Sequence, residues 1–384
     1  MVTKVLYLAV LLFAFYLWQL FTLLSGQRQL YQLPPEPQAP HQGWPKVSVI
    51  ISARDEEAEI EQALQSVLEM DYPNFEIIVV NDRSRDRTGI ILNQIKERYP
   101  LLQIVTIEQL PDQWLGKNYA LHTGAAIASG ELLLFTDADI HFSTSALKKA
   151  VGVLEKHNLD HLTLAPRVYS PSSLVNLLVA LFAKSLSLHA KPWLARNPNS
   201  SHFIGFGAFN LVRRSVYEQI GGHSKIPLRP DDDMMFGKLI KQSGYRQDCW
   251  SAFDDLRLAW YPSFKAFMQG LEKNILAGVD YQAGKLFLGL LFITTLGLLP
   301  WGILLVGDSI AKCIALATIG ASMWGFGLFF RAASCPFYQV LFEPVILLLY
   351  VFTLARSAFL TLVRGGIYWR DTFYPLSLLR KNKV

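Results

Sequence analysis

Apolar and polar positions follow two rhythms along this chain. From about Val47, the short apolar runs VSVIIS, FEIIVV, LLQIVTI, ELLLFT and HLTLA are separated by stretches whose apolar residues return at helical spacing, as Ile60, Leu64, Val67 and Leu68 do. Strand alternating with helix predicts an α/β domain built on a mostly parallel sheet with helices on both faces. Elsewhere the rhythm is lost. Val5 to Gln27 carries no charge and meets the roughly 20 apolar residues that a membrane-crossing helix needs. Leu286 to Gly307 and Cys313 to Phe330 are uncharged, and Ala332 to Ala355 is broken only by Glu343, which predicts two or three further spans.

The chain therefore reads as an N-terminal transmembrane anchor (1–27), a linker (28–46), an α/β domain (47–284), C-terminal spans (285–363) and a basic tail (364–384). Residues 33–46 hold five prolines, which favours extended chain. Leu23 to Arg28 offers little resembling a small-residue cleavage site, so the first span reads as an uncleaved anchor in a cell or inner membrane with the α/β domain cytoplasmic. Ser173 to Leu188 is interrupted by Asn176 and Lys184 and is read equally well as an interfacial or a core helix. An anchor plus three spans would put the basic tail opposite the α/β domain, against the positive-inside rule. Either the stretch around Glu343 and Pro344 enters and returns, or one apolar stretch lies in the interface.

Composition narrows the classes. Hydrophobic residues make up 51% of the 384 and charged residues 17%, against about 25% in soluble domains, which favours a membrane protein over a disordered chain. Cys249, Cys313 and Cys335 are far apart, so neither a disulfide framework nor a zinc site is indicated. The net charge of +5 arises largely in the tail, and no basic face points to nucleic acid.

In an open α/β sheet, ligands gather beyond the carboxyl ends of the strands. Three acidic loops fall there: Arg54-Asp55-Glu56-Glu57 after the first run, Asn81-Asp82-Arg83 after the second and Asp137-Ala138-Asp139 after ELLLFT. Paired carboxylates suit Mg2+ or Mn2+, which neutralise a departing diphosphate; alternatively Asp137 and Asp139 are a solvated pair capping the next helix at Ser143. The triplet Asp231-Asp232-Asp233 offers a general base, or an acidic first turn that complements a helix dipole.

Together VSVIISARDEE, EIIVVNDRSRDRTG, WLGKNYALHTGAAIASGELLLFTDAD, GAFNLVRRSVYEQIGGH and DDDMMFGKLIKQSGYR, spanning about residues 46–250, resemble the family 2 glycosyltransferases, inverting enzymes of the GT-A fold. The resemblance implies that Asp55 and Asp82 hold the nucleotide, that Lys117 lies near the donor diphosphate and that Asp137 and Asp139 bind the metal. It places the catalytic base at Asp233 with Asp232 beside it, and it implies a nucleotide-sugar donor, a UDP-sugar by expectation.

Ser52 and Asp55 stand where the family commonly has Pro and Asn, and the Q-x-x-R-W motif of polysaccharide synthases is absent after residue 244. Transfer of a single sugar to a membrane lipid is therefore favoured. The stretch from Trp369 to Pro375 is similar to that of hopene-associated and carotenoid lipid glycosyltransferases, and the whole is similar to these and to ceramide-type enzymes. Otherwise the Arg- and Trp-containing tail reads as an interfacial belt. A polymerising synthase and a catalytically silent membrane scaffold are the rival readings, and no protein partner is implied. Gly205, Gly207, Gly221 and Gly222 are read either as acceptor-facing or as turn glycines; Trp114 as a sugar platform or a loop anchor; His202 and His223 as ligands or as satisfied side chains.

Overall fold

The computed structural model describes residues 2–40 and 43–382; Met1, His41 and Gln42 of the proline-rich stretch, and Lys383 and Val384 of the tail lie outside it. The chain forms two compact units. One contains Leu30–Arg167, Pro192–Ala259 and the chain from Ser377, and the other contains the chain to Gln29, Val168–Lys191 and Trp260–Leu376.

The first unit is built on a sheet. Its strands, numbered along the whole chain, are β1 (Val47–Ala53), β2 (Phe75–Asp82), β3 (Leu102–Ile107), β4 (Leu132–Asp137), β5 (Ile140–Phe142), β6 (His161–Ala165), β8 (Asn210–Arg213), β9 (Gln247–Ser251) and β10 (Leu256–Ala259), while the short β7 (Arg167–Tyr169) leads out of the unit. Seven of them run in the order β3-β2-β1-β4-β8-β6-β9, and only β8 is antiparallel to its neighbours β4 and β6. All five apolar runs are strands of this sheet.

These runs are continuously apolar because helices cover both faces. Alternate residues of a strand point to opposite faces. Val49, Ile51, Val79 and Leu134 pack with α2 (Ile60–Leu68), α3 (Thr88–Arg98) and α5 (Ala146–Lys156). Ile50, Ile78, Val80 and Phe135 pack with α4 (Gly116–Ile127), α7 (Arg214–Ile220) and α8 (Asp232–Gln242). The register pairs Ala53 with Asn81 and Ser52 with Asp137, so β1, β2 and β4 end in one row and their acidic loops share one edge of the sheet.

Residues 31–33, which lead into the proline-rich stretch, lie along β9. Leu33 N donates to Ser251 O and Ser251 N to Tyr31 O, both at 2.8 Å, and the Arg196 guanidinium lies 4.0 Å over the Tyr31 ring. The segment thereby occupies backbone groups that an open sheet edge would expose.

The second unit is helical: α1 (Val2–Gln29), α6 (Ser173–Ala190), α9 (Phe264–Leu271), α10 (Ala283–Val306), α11 (Ser309–Gly327) and α12 (Glu343–Arg364), followed by a hairpin of β11 (Gly366–Trp369) and β12 (Thr372–Pro375). Pro344 sits in the first turn of α12, where a missing N–H costs no helical hydrogen bond. Helix α6 buries Val175, Leu177, Leu178 and Leu181 within this unit. Its Lys184 donates to Glu343 Oε1 at 2.7 Å and to Ser322 O at 3.1 Å, so the charges that interrupt two apolar stretches neutralise each other. Among the described residues five helices are long and apolar enough to cross a membrane: Thr3–Gln29, Ser173–Leu194, Ala283–Val306, Ser309–Gly327 and Phe337–Arg364.

Candidate active site

The loops after β1 and β2 fasten each other. Asp55 and Arg83 adopt left-handed backbone, with φ of 53° and 55°, which turns each loop sharply as its strand ends. Asp55 Oδ1 accepts from Arg85 N at 2.7 Å, and Asp55 N donates to Ser84 Oγ at 3.1 Å. Asp82 is buried; Arg83 Nε donates to its Oδ1 at 2.7 Å, and Arg54 Nη1 lies 3.6 Å from its Oδ2. Both aspartates thus face the strand-end edge with arginines as counter-charges.

Three elements meet at Lys117. It lies in the first turn of α4, with Nζ 2.7 Å from Asp137 Oδ1 at the end of β4 and 3.3 Å from Asp232 Oδ2 at the start of α8. Burial alone would lower the ammonium's pKa. Asp137, Asp232 and Asp233 outweigh it and raise the pKa well above the usual lysine value, so the group is a fixed cation.

The three consecutive aspartates have three different partners. Asp231 takes a fork from the buried Arg229, with Nε to Oδ1 at 2.8 Å and Nη2 to Oδ2 at 2.7 Å. Asp232 faces Lys117. Asp233 Oδ2 accepts from Gly207 N at 2.8 Å, and its Oδ1 accepts from Met234 N at 2.7 Å. Burial raises the Asp233 pKa from the ordinary aspartate value, with Lys117 opposing the shift and Asp137 adding to it. An acid whose pKa is moved toward neutrality suits proton transfer.

Gly205 and Gly207 make room for this arrangement by lacking a Cβ, and neither has positive φ. A Cβ on Gly207 would collide with Asp137 Oδ2, and one on Gly205 with the Asp233 carbonyl. Gly221 and Gly222, with φ of 77° and 48°, are turn glycines.

Asp137 and Asp139 do not cap a helix at Ser143, whose hydroxyl donates to Asp255 Oδ1 at 2.7 Å. Asp139 Oδ1 is sealed from solvent without a hydrogen-bond partner. Burial first, then the charges of Asp137 and Glu56, push its carboxyl up to about 8. Among the described residues no three His, Cys, Asp or Glu side chains converge as a ready-made metal cluster.

The remaining candidates have ordinary surroundings. Trp114 stacks on His122 with ring centroids 5.1 Å apart. His223 is buried against Phe236 and its Nδ1 is 3.0 Å from the Tyr217 hydroxyl, yet it also lines the cavity that holds Lys117 and Asp233. His202 does not line that cavity. Two contributors were not singled out in the sequence. Arg229 holds Asp231, and Asn118, adjacent to Lys117, donates from Nδ2 to Ile226 O at 2.5 Å and Arg229 O at 3.0 Å. The only signal for Asn118 was its place inside GKNYAL.

The part of the chain that carries this site is similar to known proteins. Residues 48–221 match the family model Glycosyl transferase family 2. It is 32% identical over 198 residues, 50% of this chain and 46% of the relative, to the "Probable glycosyltransferase YdaM" of Bacillus subtilis. It is 24% identical over 243 residues, 61% of this chain and 62% of the relative, to the "4,4'-diaponeurosporenoate glycosyltransferase" of Staphylococcus haemolyticus. It is 23% identical over 196 residues, 50% of this chain and 41% of the relative, to the "Beta-monoglucosyldiacylglycerol synthase" of Trichormus variabilis. The chain thus spans about half the length of these relatives. The solved "Mannosyltransferase PcManGT from Pyrobaculum calidifontis in complex with GDP-Man and Mn2+" aligns with a TM-score of 0.54 and 19% identity, over 92% of this chain and 99% of that one. This likeness and the mostly parallel seven-stranded sheet show a GT-A fold.

Proposed function

We propose that the protein is a membrane-bound inverting glycosyltransferase that moves one sugar from a nucleotide-sugar donor, a UDP-sugar by preference, to a lipid or isoprenoid acceptor, with its catalytic domain cytoplasmic. The observation that carries this reading is the convergence of Lys117, Asp137, Asp232 and Asp233 at the carboxyl ends of the sheet, with the Asp139 oxygen left unpartnered beside them. Relatives named for a carotenoid acid and a glycolipid support the choice of acceptor. The long apolar helices support membrane binding, through the anchor at 1–27 and the three helices of the spans at 285–363, with Ser173–Leu194 as a fifth.

Asp55 and Asp82 are the side chains to hold the nucleotide. Lys117 faces the diphosphate, and turning its ammonium from Asp137 to the donor costs little because both partners are anionic. Asp233 takes the proton of the acceptor hydroxyl while that oxygen bonds to the anomeric carbon, and the bond from that carbon to the diphosphate oxygen breaks on the opposite face. Gly207 N–H holds Asp233 Oδ2, and Met234 N–H binds Oδ1, so the carboxylate is oriented before the acceptor arrives.

Asp139 and Asp137 would hold Mg2+ or Mn2+. The unpartnered Asp139 oxygen fits a hard cation, whose coordination the donor's phosphates would complete. When bound, the ion neutralises the departing diphosphate.

The test is transfer of label from a panel of radiolabelled nucleotide sugars into the lipid extract of membranes carrying the protein, with and without EDTA, and with Asp233→Asn. Labelled lipid that disappears with EDTA, and falls about 100- to 10,000-fold in the variant, is expected. Label found only in high polymer would replace this reading with a polysaccharide synthase. No label from any donor would replace it with a silent scaffold.

A further inference from the structure

We infer that Asn382 is a positioning residue for Asp233, acting as a clamp on the loop that leads into the acidic triplet; this rests on the reading of Asp233 as the base. The chain returns to the sheet unit at Ser377, and Leu379 is completely buried there. Three residues later Asn382 sets its carboxamide across residues 225–228. Its Oδ1 accepts from Leu228 N at 3.0 Å, and its Nδ2 donates to Lys225 O at 3.0 Å. A carboxamide holding one N–H and one C=O of the same segment takes the place of a neighbouring strand.

The loop needs such a partner. Residues 226–231 lie outside any helix or strand, and the opposite side of the loop is held by Asn118 Nδ2, on Ile226 O and Arg229 O, and by Leu115 N, which donates to Pro227 O at 2.8 Å. Asn118 and Leu115 flank Lys117 in sequence, so the loop is gripped between the start of α4 and the tail. Past the loop, the buried Arg229 fixes Asp231, and α8 begins at Asp232. Displacement of residues 225–228 therefore passes through one ion pair to Asp233, where a misplacement of about 1 Å costs on the order of 100-fold in rate. The bond to Lys225 O is exposed, so that carbonyl would turn to water in the absence of Asn382, and the clamp governs geometry more than stability.

The test compares the full-length protein with Asn382→Ala and Asn382→Asp in detergent, measuring kcat, donor KM, Tm and hydrogen exchange at the amides of residues 225–229. In Asn382→Ala, kcat is expected to fall by about tenfold or more with donor KM and Tm nearly unchanged, while exchange at Leu228 quickens. Asn382→Asp keeps an acceptor for Leu228 N–H and is expected to retain an intermediate kcat. An unchanged kcat, or a fall in kcat accompanied by matching losses in Tm and donor binding, would overturn the inference. If the wild-type protein transfers no sugar, the glycosyltransferase reading fails separately. Exchange then decides the clamp: unchanged exchange at Leu228 in Asn382→Ala would refute it.

Discussion

Lys117 Nζ stands 2.7 Å from Asp137 Oδ1 and 3.3 Å from Asp232 Oδ2, so a single ammonium joins the carboxyl end of β4 to the first turn of α8. Replacing it with methionine leaves these carboxylates facing each other without a counter-charge. Breaking a buried pair costs about 3–5 kcal/mol, and the partial exposure here reduces that to about 1–3 kcal/mol. Lys117→Met should lower Tm accordingly and reduce transfer by about 100-fold or more. An unchanged Tm in a thermal scan would show that the ammonium does not hold the carboxylates together.

Gly207→Ala should act on activity through close packing alone. Its new methyl group meets Asp137 Oδ2, and any backbone shift moves the N–H that holds Asp233. A loss of about 10- to 100-fold in kcat/KM is expected. Gly244→Ala is the control: it has open space around it but a φ of 81°, so it should cost about 1 kcal/mol of stability and leave kcat alone.

Divalent cation should stabilise the wild-type protein through Asp139. Its carboxyl is pushed up to about 8, above the unfolded value near 4, so the cation-free fold loses stability as pH rises across that interval and the native carboxylate is left charged and unpaired. Added Mn2+ should therefore raise Tm more at pH 8 than at pH 6, and should do so weakly in Asp139→Asn. The same rise in the variant would place the cation elsewhere.

Two buried histidines predict acid sensitivity. Burial lowers His161 to about 4, against a bond to Asn210, and His223 to about 3, with Lys117 and His122 adding to the shift. Neutral in the fold, they contribute fully above the unfolded value of 6.5, and stability falls as pH drops below it while the unfolded chain gains protons. The slope approaches about 1.4 kcal/mol per pH unit for each residue. Asp139 gains stability over the same interval in both proteins, so the difference between them is the test: from pH 7.5 to 5 the Tm of His161→Gln, whose carboxamide retains hydrogen-bonding capacity toward Asn210 and Gln247, should drop less, or rise more, than that of the wild type. Equal slopes would rule out His161 as a cause.

The proline-rich stretch and Ser173–Ala190 mark how far composition carries. Five prolines predict extended chain over residues 33–46, but the hydrogen bonds that Tyr31 and Leu33 make to Ser251 at its start depend on a strand more than 200 residues away. The apolar content of Ser173–Ala190 suits interface and core alike; only the folded chain buries Leu177, Leu178 and Leu181 and pairs Lys184 with Glu343. β8 escaped notice because NLVR is short and reverses direction, so neither run length nor strand–helix alternation signals it.

From the sequence alone came the alternation that makes a parallel sheet, the apolar stretches, and the acidic loops at its strand ends, because these depend on periodicity and on residues adjacent in the chain. The division of labour among Asp231, Asp232 and Asp233 was decided only by tertiary structure. Identical neighbouring side chains carry no local mark of difference. Arg229, Lys117 and Gly207 separate them, and two of those three partners reach the triplet only when the sheet brings α4, the loop before β8 and α8 to one edge.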